Sequence, residues 1–114
     1  MNRVAVIMST YNGEAYVREQ LESILNQRDV EVSVFVRDDG SKDRTAKIIQ
    51  EYDKVHFIQG ENIGLGNSFM NLLYSVPSDY DYYALSDQDD FWENIKLSKA
   101  IALLKQENKQ LYIS

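Results

Sequence analysis

Cysteine, histidine and proline are almost missing from this sequence of 114 residues, and their scarcity narrows its possible functions. Because there is no cysteine, the chain has no disulfide scaffold, no thiolate zinc site and no cysteine nucleophile. The single histidine, His56, excludes a metal site built from a histidine cluster and argues against a Ser-His-Asp triad. One proline and five glycines exclude collagen-like and low-complexity classes.

Basic residues are also in deficit, with 12 Lys and Arg against 18 Asp and Glu and a formal net charge of −6. An acidic chain gains nothing from the counterion release that drives nucleic-acid binding, so we expect no nucleic-acid partner. Acidic side chains that gather at one place can instead bind a divalent cation.

Long apolar runs are missing as well, since no run approaches the ~20 residues that a membrane-spanning helix needs. The first residues lack the charged start, apolar stretch and cleavage site of a signal peptide. We therefore expect a cytoplasmic chain. If it is part of a longer protein, that protein could lie peripherally at the inner face of the membrane.

The residues that are present have an ordinary globular composition, with 44% hydrophobic and 26% charged residues. This length and composition predict one domain over residues 1–114. Short β-branched runs alternate with segments of helical periodicity. The predicted strands are residues 3–8, 30–36, 55–59 and 82–85, with a fifth beginning at 111–113, and the predicted helices include 14–27, 67–74 and 92–105. This alternation predicts an α/β fold in which a mostly parallel, twisted sheet carries helices on both faces.

The ends of three predicted strands are unusually polar. They are residues 9–12 (Ser-Thr-Tyr-Asn), 38–41 (Asp-Asp-Gly-Ser) and 86–90 (Ser-Asp-Gln-Asp-Asp). Ligands of parallel sheets bind outside the carboxyl ends of the strands. We therefore expect the functional site at this edge of the sheet.

Asp87 and Asp89 are the candidate metal ligands. In an extended segment, residues i and i+2 point the same way, so both carboxylates would share a face and repel each other unless a cation lies between them. Hard divalent ions such as Mg²⁺ and Mn²⁺ prefer oxygen ligands. A solvated acidic turn is the alternative, and Asp90 fits a capping box with Glu93 better than a metal ligand.

Two other strand-end segments leave alternatives open. Asp38 and Asp39 could accept a hydrogen bond from the imide N–H of a pyrimidine base, or could cap the helix that opens near Ser41. Tyr11 could stack on a base. In the loop at 60–66, closely spaced glycines would let the backbone approach a phosphate or sugar, or the loop could simply cap a helix.

Taken in order, these motifs resemble the inverting glycosyltransferases of family 2, which have a GT-A fold. The resemblance is carried by Val-Ala-Val-Ile-Met-Ser-Thr-Tyr-Asn at 4–12, Val-Arg-Asp-Asp-Gly-Ser-Lys-Asp at 36–43, Asn-Ile-Gly at 62–64 and Ser-Asp-Gln-Asp-Asp at 86–90. The last motif, followed by an aromatic pair, is similar to that of bacterial rhamnosyltransferase-like members that build surface polysaccharide.

The resemblance implies a metal-dependent transfer of sugar from a UDP- or dTDP-linked donor to a hydroxyl of a carbohydrate acceptor, with Mg²⁺ or Mn²⁺ as cofactor. The metal would be bound at Asp87 and Asp89, the Asp-x-Asp pair. Asp39 would bind the imide of the base and Glu14 the ribose side. The remaining implied donor contacts come from the same motifs and are Thr10, Tyr11, Asn12, Asn62, Gly64, Asn67, Asp87 and Gln88.

The chain departs from the family at its carboxyl end. The catalytic base of the family lies beyond the Asp-x-Asp half, so we expect it beyond Ser114 and interpret the chain as a truncated, Rossmann-like donor-binding half. An exposed sheet edge at 111–113 would then promote self-association. Two other functions stay open: a receiver-like phosphoacceptor domain, and a non-catalytic assembly module.

Overall fold

The computed structural model describes residues 1–86, 95–107 and 111–113, in which strands and helices alternate. The strands are β1 (Asn2–Thr10), β2 (Val30–Asp39), β3 (Val55–Gly60), β4 (Tyr82–Ser86) and β5 (Leu111–Ile113). The helices are α1 (Val17–Leu25), α2 (Thr45–Ile49), α3 (Leu65–Ser75) and α4 (Lys96–Glu107). This order confirms the predicted α/β fold.

The strands form one sheet in the order β3-β2-β1-β4-β5, and every pairing between them is parallel. The central strand β1 is buried without a break from Val4 to Thr10. Burial on both faces explains why this strand is a continuous apolar run rather than an alternating one. The order also differs from the 2-1-3-4-5 order of the receiver protein CheY.

Helices cover both faces of the sheet, as predicted. On one face α1, α2 and α4 pack on the even-numbered residues of β1, and Val4, Val6 and Met8 belong to that core cluster. On the other face α3 contributes Leu72 to a smaller cluster with Ala5 and Ile7. Among the described residues, the two clusters are therefore separate layers on opposite faces of the sheet.

The end of strand β2 and the starts of helices α1 and α3 differ from the prediction. Strand β2 continues through Asp38 and Asp39, which the sequence predicted in a turn, and the turn begins instead at Gly40, whose φ is +79°. Helix α1 begins at Val17 because the Gly13 carbonyl first accepts the N–H groups of Tyr16 and Val17 in a separate turn. Helix α3 begins at Leu65, after Gly64 with φ +90°, a backbone conformation that favours glycine.

No helix in the described part of the chain combines the length and the apolarity that a bilayer span requires.

Candidate functional site

The carboxyl ends of β1, β2 and β3 lie side by side at one edge of the sheet. Thr10 pairs with Asp38, and Asp39 pairs with Gly60. The loops that leave these strands also touch, because a Cβ built on Gly40 would lie 3.0 Å from the backbone nitrogen of Asn62. Two of the three predicted polar strand ends, 9–12 and 38–41, therefore lie together at this edge, as expected for a parallel sheet, whereas residues 87–90 of the third lie outside the described residues.

Asp38 points to the face that α1 and α2 cover, and its carboxylate is completely buried. Its Oδ1 accepts hydrogen bonds from the hydroxyls of Thr10 at 2.8 Å and Ser41 at 2.6 Å, and its Oδ2 accepts the Ser41 backbone N–H at 2.9 Å. Asp38 therefore holds the turn at Ser41, whereas helix α2 begins later, at Thr45, and its N-cap residue Arg44 makes no side-chain capping hydrogen bond.

The loop after β1 is fastened to the loop after β2. The backbone N–H of Asn12 donates to the Ser41 hydroxyl at 2.8 Å, and the side-chain oxygen of Asn12 accepts the Lys42 N–H at 2.9 Å. The Glu14 carboxylate accepts the Arg44 N–H at 3.0 Å. Asn12 has a φ of 49°, a left-handed conformation that asparagine tolerates better than most residues.

Asp43 completes this junction as an anchor for the start of α2. Its carboxylate accepts the Thr45 N–H at 3.0 Å and the Glu14 N–H at 3.2 Å, and it also accepts the Thr45 hydroxyl. Desolvation alone would raise the pKa of Asp43, but the hydrogen bonds from Thr45 and from the Glu14 backbone outweigh it and lower the pKa below its ordinary value.

Asp39 points to the opposite face, toward the start of α3. Its Oδ1 accepts the guanidinium of Arg37 at 2.7 Å and the backbone N–H of Ile63 at 2.9 Å, and its Oδ2 accepts the N–H of Gly64 at 3.1 Å. Burial would raise the pKa of Asp39, but the Ile63 N–H, the Arg37 guanidinium and the Gly64 N–H together lower it below its ordinary value. Asp39 is therefore a buried carboxylate that stays ionised at neutral pH.

Arg37 was not predicted as a functional residue, yet its guanidinium donates hydrogen bonds to three partners in the site. Besides Asp39, its guanidinium donates to the Ser68 hydroxyl of α3 at 3.0 Å and to the Glu61 carbonyl at 3.1 Å. The Ser9 hydroxyl of β1 donates to the same Ser68 oxygen at 2.6 Å. The signal available in the sequence was the spacing Arg-x-Asp on a strand, which puts both side chains on one face.

The predicted cleft residues lie on or beside the loop that Arg37 and Asp39 hold. Asn62, Gly64 and Asn67 are exposed, and the Asn67 amide donates to the Ile63 carbonyl at 2.9 Å. Of the residues predicted at the base and ribose, Tyr11 is 41% exposed and Thr10 is buried. Glu14 and Asn12 are exposed in the loop after β1.

The predicted metal ligands Asp87 and Asp89, together with Gln88, lie outside the described residues. In residues 1–86, 95–107 and 111–113 there is no group of three or more acidic or histidine side chains arranged to hold a metal ion. The described end of β4, directly before that segment, is held by Gln20 of α1, whose amide donates to the Ser86 hydroxyl at 2.9 Å.

A family model described as "Glycosyl transferase family 2" matches residues 5–114. This match covers nearly the whole chain, so the chain belongs to glycosyl transferase family 2. With the strand order reported above, membership of this family removes the receiver-like alternative.

Known relatives agree with this assignment. The "dTDP-rhamnosyl transferase RfbG" of Shigella flexneri is 39% identical over 115 residues, which cover 94% of this chain. The crystal structure of residues 1–349 of TarS from S. aureus in complex with UDP matches with a TM-score of 0.80 and 28% identity over 93% of this chain. The mannosyltransferase PcManGT from Pyrobaculum calidifontis, solved with GDP-Man and Mn²⁺, matches with a TM-score of 0.75 and 24% identity over 90% of this chain, and shows the shared fold.

The chain spans only part of the proteins that it resembles. It covers 40% of the Shigella relative, 33% of the TarS chain and 32% of the PcManGT chain.

Proposed function

We propose that this chain is the donor-binding part of an inverting glycosyltransferase that transfers a sugar from a nucleoside-diphosphate sugar to an acceptor hydroxyl in bacterial surface polysaccharide synthesis. One observation carries the proposal: a buried, ionised carboxylate, Asp39, stands at the carboxyl edge of a family 2 sheet, beside an exposed loop. A relative named as a dTDP-rhamnosyl transferase and a similar structure solved with UDP support a UDP- or dTDP-linked donor.

Asp39 is the proposed hydrogen-bond acceptor for the imide N–H of the base. The uracil of UDP and the thymine of dTDP present the same imide N–H, and an ionised carboxylate is a stronger acceptor for such a hydrogen bond than a protonated one. The lowered pKa of Asp39 keeps that acceptor available at neutral pH. The exposed ring of Tyr11 would lie against a face of the base.

The remaining donor contacts belong to the surrounding loops. Glu14 would face the ribose side, and Asn62, Gly64 and Asn67 would line the cleft for the sugar diphosphate. Thr10 would shape the floor of the cleft, because its hydroxyl donates to the Asp38 carboxylate. Asn12 would shape the rim of the cleft, because its side-chain oxygen accepts the Lys42 N–H and so joins the loops that follow β1 and β2. Gln88 would contact the donor from the segment after β4.

Asp87 and Asp89 are the proposed ligands of a divalent cation, Mg²⁺ or Mn²⁺. Their carboxylate oxygens are the donor type that these hard ions prefer. When bound, the cation would neutralise charge that develops on the departing nucleoside diphosphate. We place the catalytic base and most of the acceptor site beyond Ser114, so residues 1–114 would bind the donor without efficient transfer.

Self-association and a cytoplasmic location, peripheral to the membrane in a longer protein, belong to the same proposal. Strand β5 is the outer strand on its side of the described sheet, and an edge strand can pair with another chain. Light scattering over a range of concentrations tests this pairing: growth of a dimer supports it, and a strict monomer at high concentration contradicts it.

Calorimetry with UDP and with dTDP, in the presence and absence of Mn²⁺, tests donor binding. We expect both nucleotides to bind more tightly with the metal, and Asp39→Asn to weaken both about tenfold or more, because a hydrogen bond to a charged group is lost. Asp79→Asn is the matched control, since the Asp79 carboxylate forms an exposed ion pair with Arg3. Equal affinity of wild type and Asp39→Asn would contradict the proposed base contact.

The same titration separates a donor-binding domain from the remaining alternative, a non-catalytic assembly module. Binding of UDP and dTDP in preference to nucleotides without an imide, such as CDP and ADP, supports the donor-binding function. Equally weak binding of all four would support the assembly module instead.

A further inference from the structure

The most heavily partnered buried cation of the described residues is Arg37, and the proposed donor contacts leave it without a function. Its side chain is 6% exposed and that of its partner Asp39 is 4% exposed. By comparison, the ion pair between Arg18 and Glu51 lies on the surface, with the side chains 51% and 48% exposed. Removing two charges from water costs free energy, so a buried pair is a reason to look for a specific role of the two residues.

We propose that Arg37 is a positioning residue of the donor site: it fixes the Asp39 carboxylate and the loop at 61–64 in one arrangement, so that a single acceptor position on Oδ2 faces the base. The inference rests on the proposed function, because it assigns a task to Arg37 within that same site.

The first argument is a count of hydrogen-bond acceptor positions. A carboxylate offers about four such positions, two on each oxygen. Arg37 and the Ile63 N–H occupy Oδ1 of Asp39, and the Gly64 N–H occupies one position on Oδ2. Within the described residues this leaves one position, and it is on Oδ2. Arg37 therefore selects which oxygen can receive a ligand.

The second argument is that the same guanidinium holds the loop. One of its nitrogens, Nη1, donates to Asp39 and Ser68, and the other, Nη2, donates to the Glu61 carbonyl. Ile63 and Gly64, two and three residues further on, donate back to Asp39. The loop is thus bound to the ion pair through a carbonyl at one end and two N–H groups at the other. A displacement of Arg37 would move the Asp39 carboxylate and the loop at 61–64 together.

The third argument is that a glycine makes room for the guanidinium. A Cβ built on Gly60 would lie 2.2 Å from Nη2 of Arg37 and 2.8 Å from its central carbon. Because the guanidinium is buried and donates to three partners, it cannot swing aside without losing them. Gly60 is therefore needed for this position of Arg37.

The groups that surround Asp39 allow the effect of Arg37 on the pKa of Asp39 to be measured. Asp38, on the same strand, points to the opposite face; β1 and α3 contribute the uncharged Ser9 and Ser68; and the loop contributes Glu61, which is exposed. Arg37 is the only charged group that the described structure brings against Asp39 to stabilise its ionised form. Without it, burial would act with less opposition and the pKa of Asp39 would rise.

Calorimetry with UDP and with N3-methyl-UDP, which lacks the imide N–H, tests the inference across about pH 5 to about pH 8. For wild type we expect preference for UDP and little change in its affinity with pH. Arg37→Met should weaken UDP about tenfold or more, reduce the preference for UDP over the methylated analogue, and bind more weakly still as the pH falls. Arg37→Lys should restore the flat pH profile, because it returns the charge, but not the full affinity, because a point charge cannot form the fork of contacts.

Two further variants guard against a purely structural explanation. Arg18→Met removes a surface arginine and should match wild type in all three readouts. Gly60→Ala keeps the charge of Arg37 but displaces the guanidinium, so it should weaken UDP and reduce the preference over N3-methyl-UDP even if Arg37→Met does not fold. A Gly60→Ala protein with wild-type affinity and preference would overturn the inference.

The outcomes distinguish this inference from the proposed function. If wild type binds neither UDP nor dTDP, the proposed function fails and the inference with it. If wild type binds UDP and Asp39→Asn does not, while Arg37→Met keeps the affinity, the preference and the flat pH profile of wild type, the donor site stands and the task assigned to Arg37 is wrong.

Discussion

Two consecutive aspartates at the end of β2 have opposite surroundings. Asp38 is surrounded by uncharged donors, two hydroxyls and one backbone N–H, and it fastens a turn on the α1 and α2 face. Asp39 is paired with a buried arginine and two N–H groups of a loop on the α3 face. One dipeptide therefore supplies a carboxylate held by neutral donors to one layer and a carboxylate paired with a buried arginine to the other.

The difference follows from the geometry of a strand. Successive side chains point to opposite faces, so neighbours in sequence join different cores. Asp38 lies on the same face of β2 as Val36, and Asp39 lies on the same face as Arg37. In a strand end, the role of an acidic residue is therefore set by the residue two positions earlier and by the layer on its face, and hardly by its immediate neighbour.

The largest effect that the comparison predicts is on stability. Asp39→Ala leaves Arg37 buried without its counter-charge, and we expect the free energy of unfolding to fall by about 3–5 kcal/mol. Asp38→Ala leaves only neutral donors unpaired and should cost less, about 1–3 kcal/mol. Urea denaturation of the two variants beside wild type measures both values. Equal losses would mean that the charge of Arg37 does not distinguish the two sites.

A smaller loss of stability is expected from overpacking the face of β2 that carries Arg37 and Asp39. Gly60→Ala should lower the free energy of unfolding by about 1–3 kcal/mol, because the new methyl group overlaps the guanidinium of Arg37. Gly66→Ala is the matched control, since a Cβ there meets nothing within 4 Å and the residue lies in α3. It should be neutral or stabilising by up to about 1 kcal/mol. Thermal unfolding of both variants measures the contrast, and a reversed order would contradict the placement of Arg37.

On the face of β2 that carries Asp38, a single hydrogen bond can be removed. Thr10→Val keeps the shape of the side chain and removes the hydroxyl that donates to Asp38. We expect the free energy of unfolding to fall by about 1 kcal/mol, measured in urea, because Asp38 keeps its two contacts with Ser41. A loss as large as that of Asp39→Ala would show that the two sides depend on each other.

The smallest expected effect is the acid dependence of stability. The pKa values of Asp39 and Asp43 lie below their ordinary value of 3.8 in the folded chain, so the unfolded chain binds protons first as the pH falls. Their contribution is thus complete above about pH 5 and is lost as the pH falls below about 4 toward the folded values. Urea denaturation at several pH values should show a shallower acid decline for Asp39→Asn than for wild type. An equal slope in both would contradict the lowered pKa of Asp39.

Much of the fold could be predicted because it depends on short-range patterns. The β-branched runs of β1 and β2 marked buried strands, and the polar segments that follow these two strands lie together at one edge of the sheet, as predicted. The start of α1 was harder, because Tyr16 follows the apolar periodicity but lies 54% exposed in a turn before the helix.

The candidate site was predictable as an edge of the sheet but not as a set of contacts. Asp39 was named from its motif, yet its hydrogen-bond partners depend on which face of β2 it occupies and on the loop at 61–64, which is distant in sequence. The importance of Arg37 depends on Gly60, Glu61 and Ser68, and no local pattern links these three to it. Asp87 and Asp89 stay a prediction.

The most direct test of the account is a crystal structure of the protein with UDP and Mn²⁺. The account predicts the imide nitrogen of uracil about 3 Å from Oδ2 of Asp39, with Arg37 still on Oδ1, and manganese between the diphosphate and the Asp87 and Asp89 carboxylates. A nucleotide whose base lies away from Asp39, or a diphosphate bound without those two aspartates, would contradict it.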